Sequence, residues 1–562
     1  GNKVVPGNIP AGKLIARTVQ TGAYMENVGY PGFQLTYSDI EAKQYGMYYA
    51  PKPDYSAYEQ KGMRVDYYPN ATIVVSTTSF KGGKAGFWSD KTSGRYGINF
   101  NDCTFAEWSD TAIYMGAGYL TCSNGTFSKR EKPITLGDNA GQAILLGNSF
   151  AGEWSSDDNR ITRDDQNGEI THTPDYDYTY VSDVKPATDK IFNVLDYGAA
   201  VGAVDRLPDQ DSTGAIQNAL NAAGAAGGGT VYLPAGVYRV NGALTVPTGV
   251  ELRGTFESAH YGNSTERGTQ IFAYGNKDNA NGAPLITLAE GAGVKGFSVA
   301  YPEQGYTDKE GYNDNETVHA YPPTVRANKN TWIQNMTMIA TYTAIDAMTN
   351  RCDNIVITDV TGAAMYATLE MGHGTDGGYV QNLHFNYSGW VQQWRYPNRP
   401  GGDISSDGVT STNDLMEDYT TRVVKGLILG DVKNVNFFSC FNIIVAEQIV
   451  LKSDPYTGGD FDGVMWGVAF DAATNGVVGT AGSKANLAIV SSMGVFKEQQ
   501  GGYNVKTLPG FEGRVSLYNA DAWDARSNLV YVEGGTVDLV QYFSWCVYKG
   551  VVKQGGSGNE SH

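Results

Sequence analysis

Ile333-Gln334-Asn335-Met336-Thr337-Met338, Ile357-Thr358-Asp359-Val360-Thr361 and Val380-Gln381-Asn382-Leu383-His384-Phe385 follow one pattern: apolar, polar, Asn or Asp, apolar, polar. The Asn and Asp anchors stand 24 and 23 residues apart. A period in the low twenties, with β-branched and aromatic residues alternating inside each unit, is the signature of a β-solenoid in which one repeat is one coil. Equivalent positions on neighbouring coils then lie about 4.8 Å apart, the ordinary strand spacing. Eleven residues past each anchor come Asp346, Glu370 and Gln393. The period predicts that these three form one polar ladder on one face.

Toward the N-terminus the same period recurs with a different marker. Thr78-Ser79-Phe80, Cys103-Thr104-Phe105, Gly125-Thr126-Phe127 and Asn148-Ser149-Phe150 place a Phe every 22 to 25 residues, which predicts an inward aromatic stack. Residues 1 to about 65 are rich in Tyr but show no clean period, so irregular β structure that wraps a coil or caps an end is expected there. The polar, acidic stretch 153–190 reads as a linker or loop. Toward the C-terminus the repeat is interrupted by a polar loop from about Arg395 to Thr421 and resumes at Val432-Lys433-Asn434-Val435-Asn436-Phe437. The division is therefore 1–152 (irregular region and first coils), 153–190 (linker) and 191–562 (main solenoid with the groove).

The most specific local signal opens that main segment. Ile191 to Ala199 reads as a strand ending at Gly198, and Asp211 to Ala223 as a capped amphipathic helix with Ala215, Ile216, Ala219, Leu220 and Ala223 on one side. Gly227-Gly228-Gly229 stops the helix, and Thr230 to Val240 returns as strands around Pro234-Ala235-Gly236. The first coil of a solenoid exposes an apolar end, which such a helix can cover. This stretch closely resembles the opening of the pectate-lyase-superfamily type of right-handed parallel β-helix, a start shared by lyases, glycoside hydrolases and phage tailspikes. The expected fold is all-β, a right-handed parallel β-helix with a short N-terminal capping helix and long inserted loops.

Composition narrows the partners. With 70 Gly, 37 Tyr and 18% charged residues, the chain suits a turn-rich β protein. A net charge of −18 argues against nucleic acid and anionic membranes, and more weakly against polyanionic substrates. A neutral oligosaccharide or glycan meets no such repulsion. The five cysteines are scattered without C-x-x-C spacing and read as buried thiols. No apolar run reaches the roughly 18 residues of a membrane span. The chain begins at Gly1, as a mature or trimmed fragment would, and its composition resembles that of a secreted or surface-displayed monomer. No cofactor is expected to be required and no metal ligand set stands out, although the Asp157-Asp158 and Asp164-Asp165 run could hold a structural calcium.

Glycoside hydrolysis needs two carboxyl groups about the scissile bond, one to donate a proton and one to act as nucleophile or base. Asp346 can pair with Asp353, seven residues on, or with Glu370, one coil away. Two carboxylates held that close push one pKa up, which makes a proton donor. Asp353 could equally do no more than bond turn amides. Trp390 and Trp394, flanking Gln393, would offer flat faces to sugar C–H groups or pack beneath the 395–421 loop. His373, Glu447 and Lys452 complete the candidate substrate-binding set, while Asp403, Asp407, Asp414 and Asp454 are weaker. The Asp346 to Asp353 spacing, the aromatic residues and the neutral-substrate argument resemble the β-helical lacto-N-biosidases. That resemblance implies release of lacto-N-biose with retention, Asp346 as acid/base and Asp353 as nucleophile. The coils before the cap leave a two-helix β-1,3-glucanase type open. A calcium-assisted polysaccharide lyase would draw on Arg351, Arg395, Arg399 or Lys452, but no basic cluster recurs on successive coils. A tailspike-like glycan-binding β-helix is the non-enzymatic alternative.

Overall fold

The computed structural model describes residues 14–25, 33–36, 38–51, 72–93, 96–163, 184–203, 207–255, 268–308, 317–386, 412–490, 492–496, 502–523, 529–545, 552–554 and 559–561. They form a right-handed parallel β-helix in which every pairing between strands runs parallel, arranged as one 13-stranded sheet ending at Arg163 and one 28-stranded sheet beginning at Ile191.

In the larger solenoid each coil crosses three faces. Successive rungs of the first face include Val250–Arg253, Gly293–Lys295, Val432–Phe438 and Asp462–Trp466. The second face includes Thr269–Ala273, Ser298–Ala300 and Phe441–Ile443. The third face includes Ile286–Leu288, Val325–Arg326, Lys425–Leu429, Glu447–Leu451 and Asn475–Gly479. Two strands, Trp332–Ala347 and Ile355–Met371, bend through all three faces without a loop.

The Asn and Asp anchors of the repeat are the corners between the first and second faces. Asn335, Asp359 and Asn382 have φ of 51°, 55° and 54°, and Gly296, Ser439 and Gly467 take the same corner on other coils with positive φ. Left-handed backbone costs most side chains roughly 1–2 kcal/mol, and Asn and Asp tolerate it because they bond locally. Here the bond runs between coils: Asn382 Nδ2 donates to Asp359 Oδ1 at 2.8 Å. Asn434 differs from the sequence expectation. It pairs in register with Gly377 and so belongs to the corner between the third and first faces, with Asn354 and Asn330.

The cap is a helix from Thr213 to Ala225 that buries Ile216, Ala219, Leu220 and Ala223 against the first coils. Asp211 Oδ1 accepts from Thr213 N, Thr213 Oγ1 and Asn241 N, tying the helix start to the coil below. Ahead of it, the expected strand 191–199 is cut short. Only Ile191–Asn193 is strand, because Asn193 caps a 3-10 turn over Val194–Tyr197 that closes on left-handed Gly198. Inside the expected 395–421 loop, Thr412–Val423 is a helix, while 387–411 lie outside the described residues.

The smaller solenoid contains the Phe stack. Phe80, Phe105, Phe127 and Phe150 are in register, with ring centroids 5.1, 5.1 and 4.9 Å apart in nearly parallel planes. Its parallel coils already begin within the Tyr-rich first 65 residues, since Ile15–Met25 pairs with Asp39–Tyr49. Within the acidic stretch, Ile161–Arg163 pairs with the strand ending at Leu146. The two solenoids share an apolar seam, in which Val74, Ile144 and Leu146 meet Phe438, Trp466, Val490 and Tyr518. All four described cysteines are buried and free, and among the described residues no helix is long and apolar enough to cross a membrane.

Phe105 sits between two stacked neighbours and is 1% exposed. Phe105→Ala is expected to destabilise the protein by about 3–5 kcal/mol in urea unfolding, and Phe105→Leu by about 1–2 kcal/mol. Equal and small losses for both would show that the stack contributes little.

Candidate active site

On the third face, strand alternation turns Ile345, Ala347, Leu369 and Met371 into the core and sends Asp346 and Glu370 outward. The two carboxylates are direct register partners, as the period predicted. Val325–Arg326 supplies the preceding rung, with Arg326 opposite Asp346. The following rung differs from the sequence expectation: Glu370 pairs with Ile428, not Gln393. The described strand ends at Asn386, and after the helix Thr412–Val423 it is Lys425–Leu429 that supplies the rung beside Glu370, so counting eleven residues past Asn382 does not give that rung. Gln393, Trp390 and Trp394 lie outside the described residues, as do Asp403, Asp407, Arg395 and Arg399.

Asp346 is 3% exposed and its two oxygens are taken up. Oδ2 accepts from Arg326 Nε and from Thr349 Oγ1, both at 2.7 Å, and Oδ1 accepts from Met348 N at 3.0 Å and Thr349 N at 2.9 Å. Glu370 is the opposite case. It is half-buried, and among the described residues nothing donates a hydrogen bond to its carboxyl. Burial raises its pKa above the ordinary value; the charge of Lys452 opposes this, and the charge of Asp346 adds a lesser upward push. One carboxylate is therefore fixed by four donors, and its half-buried neighbour has no hydrogen-bond donor among the described residues and a pKa raised by burial.

Around this pair the face is apolar. Met348, Ala367, Ile428 and Val450 form an outward patch with Tyr366 packed against it. Tyr366 stacks on Tyr342 with centroids 5.2 Å apart and planes 12° apart. Burial raises the pKa of both phenols, with Glu370 adding to each. Glu447 faces Lys425 at 3.9 Å on the next rungs, and Lys452 follows the strand Glu447–Leu451. His373 lies just beyond the strand end at Met371, its Nδ1 3.3 Å from Met348 O.

Asp353 is placed apart from that floor, in the turn before Ile355. Both its oxygens accept from Arg351 Nε at 2.8 Å, Lys329 Nζ lies 3.3 Å away, and Asp376 N donates to it at 2.9 Å. Burial alone would raise its pKa, but these donors outweigh it and bring the pKa below the ordinary value. Asp346 and Asp353 have no hydrogen-bond partner in common. Both press on the Cys352 thiol between them, whose pKa is raised first by burial and then by their charges.

Three participants were missed from the sequence. Tyr342 and Tyr366 stand 24 apart, the same interval as Asp346 and Glu370, so the period alone could have paired them. Arg326 gave no such signal, because it lies 20 residues before Asp346. Among the described residues no group of three or more His, Cys, Asp or Glu side chains is gathered to hold a metal ion.

The fold and this face define a class: a parallel β-helix carrying an acidic pair in an apolar, aromatic-edged face. Residues 191–392 match the family profile described as "Rhamnogalacturonase A/epimerase, pectate lyase-like". The chain is 50% identical over 70 residues to mannuronan C5-epimerase AlgE3 and 47% identical over 70 residues to AlgE4, both of Azotobacter vinelandii. These matches span 11% of this chain and only 4% and 12% of those relatives. Among solved structures, DFA-IIIase from Arthrobacter chlorophenolicus A6 without its lid superposes with a TM-score of 0.45 at 9% identity, covering 66% of this chain and 93% of that one. The Geobacillus virus E2 ORF18 protein gives 0.32 at 14% identity, over 65% and 60% of the two chains.

The burial of Glu370 yields a pH-dependent expectation. Its cost falls on the charged form, so it is absent well below the ordinary value of 4.5 and grows as pH rises through the raised pKa. Glu370→Gln removes the charge at every pH. Its unfolding temperature should exceed that of the wild type by about 1–2 °C at pH 8 and converge with it near pH 4. A variant less stable than wild type at pH 8 would contradict the assignment.

Proposed function

We propose that this protein is a carbohydrate-acting enzyme that cleaves a neutral glycan over the third face, with Glu370 as proton donor and Asp346 as its anionic partner. The observation that carries this reading is Glu370: a half-buried carboxyl with no hydrogen-bond donor among the described residues, whose pKa burial raises and which stands one rung from a fixed carboxylate. Glycosidases divide the work in this way, a protonated acid at the leaving oxygen and a charged group where positive charge develops on the sugar. Retaining enzymes hold their carboxyl groups about 5–5.5 Å apart and inverting enzymes about 6.5–9.5 Å apart. The backbones of the two residues lie one rung, about 4.8 Å, apart, and retention is the outcome the family resemblance implies. Arg326 and the Thr349 and Met348 donors hold Asp346 in one orientation, which suits a group that must be in place before the bond breaks.

A neutral substrate fits the cations that surround the pair. Arg326 is spent on Asp346, Arg351 and Lys329 on Asp353, and Lys425 on Glu447. Among the described residues that leaves Lys452 to meet a substrate carboxylate. The finer reading, release of lacto-N-biose from milk-type oligosaccharides, rests on the family resemblance of the Asp346 to Asp353 spacing. A second reading, epimerisation or lysis of a polyuronate, is favoured by the short match to the mannuronan C5-epimerases, with Lys452, whose charge bears on Glu370, as the cation to meet the uronate. Action outside the cell, as a monomer, belongs to the same proposal.

The test is turnover of lacto-N-tetraose, a neutral fructo-oligosaccharide and an oligomannuronate by wild type, Glu370→Gln, Asp346→Asn and Asp353→Asn. The expected outcome is cleavage of a neutral glycan that falls about 10³-fold in the first two variants and far less in Asp353→Asn. If Asp353→Asn is as dead as Asp346→Asn while Glu370→Gln still turns over, the seven-residue pair is the catalytic one. Ultraviolet absorbance from an unsaturated uronate, or C5 inversion of the oligomannuronate, would establish the second reading.

A further inference from the structure

Beyond the end of the third face two rings stack outside any strand. His373 and Tyr456 have centroids 4.6 Å apart and planes 15° apart. His373 takes φ of 61° in the turn that follows Met371, and Tyr456 stands in the turn after Leu451. With one face backed by the imidazole, Tyr456 remains 55% exposed.

A single buried carboxylate fixes both rings. Asp454 is 3% exposed. Its Oδ2 accepts from His373 N at 2.6 Å and Asp431 N at 3.2 Å, and its Oδ1 from Tyr456 N at 2.8 Å and Thr457 N at 3.1 Å. Burial would raise its pKa, but the four backbone donors together bring it below the ordinary value. Gly372 and Gly430 leave the space it occupies, since a Cβ at either would run into Asp454 Oδ2. His373 Nδ1 also meets the carbonyl of Met348, a member of the apolar patch beside Glu370. The platform is therefore continuous with the floor of the proposed groove.

We infer that the Tyr456 ring, backed by His373, is a platform for a sugar unit bound next to the Glu370 end of the groove, and that Asp454 is the positioning residue that sets it. The inference rests on the reading of this face as a glycan site and refines its substrate class to a neutral glycan containing a unit whose C–H groups gather on one face, as in a galactopyranose. Such a face lies flat on an aromatic ring. A tyrosine whose backbone and back face are already held loses little freedom on binding.

Calorimetric titration of the Glu370→Gln protein with lacto-N-tetraose, the fructo-oligosaccharide and the oligomannuronate measures binding without turnover. Adding Tyr456→Ala should weaken the neutral ligand by about tenfold, and Tyr456→Phe should restore it. Asp454→Asn should weaken it to a similar degree, and Asp454→Asn combined with Tyr456→Ala should be no worse than either alone, because both act through one ring. Unchanged affinity in Tyr456→Ala overturns the platform while leaving the proposed function intact, and additive losses overturn the positioning role of Asp454. Preference for the oligomannuronate, or binding of none of the three, overturns the inference together with the proposed function. Neutral-glycan binding that depends on Tyr456 in a wild type that cuts nothing upholds the platform and removes the catalytic reading alone.

Discussion

A parallel rung places each residue beside its counterpart on the next coil, and that register survives only if every coil turns at the same place. In the larger solenoid the turn is made by left-handed backbone at Gly296, Asn335, Asp359, Asn382, Ser439 and Gly467. Each of these residues is small or can bond locally, so the corner is reached at low cost. Because the corners repeat, the inward and outward assignments on the following strands repeat as well. The neighbourhood of Asp346 and Glu370 follows from Asn335 and Asp359, which start the count on their two coils.

That dependence explains what could be read from the chain alone. The anchors, the Phe stack, the capping helix and the pairing of Asp346 with Glu370 all lie in stretches where the coil length is nearly constant, so a residue count equals a position in space. Where the coil length changes, counting fails. Gln393 has the right interval from Asn382, but Ile428 takes the rung beside Glu370. Asn434 has the right neighbours in sequence yet turns a different corner, because the pattern apolar, polar, Asn recurs at two of the three corners. The coils before residue 50 gave no period because their strands, Ile15–Met25 and Asp39–Tyr49, are long and marked by tyrosines on the outside rather than by one repeated inward ring. The anchoring role of Asp454 depends on backbone amides from three separate turns, a convergence that no local pattern encodes.

The two solenoids divide the outer surface between them. The first face of the larger one, at Phe438, Trp466, Val490 and Tyr518, is spent on the seam with the smaller one. Among the described residues, the third face, with Asp346 and Glu370, contributes nothing to that seam. Contact between the solenoids and the proposed site thus lie on different sides of the same coils, so each side could be altered without redesigning the other.

Trp332–Ala347 and Ile355–Met371 are the two strands that carry the acidic pair, and both pass around all three faces unbroken. Asp346 and Glu370 are thereby held on neighbouring rungs of one parallel ladder. If the pair is the site proposed above, it is a fixed anvil: the spacing of the two backbones belongs to the scaffold, and any bending that brings a bond into line falls to the molecule laid across it.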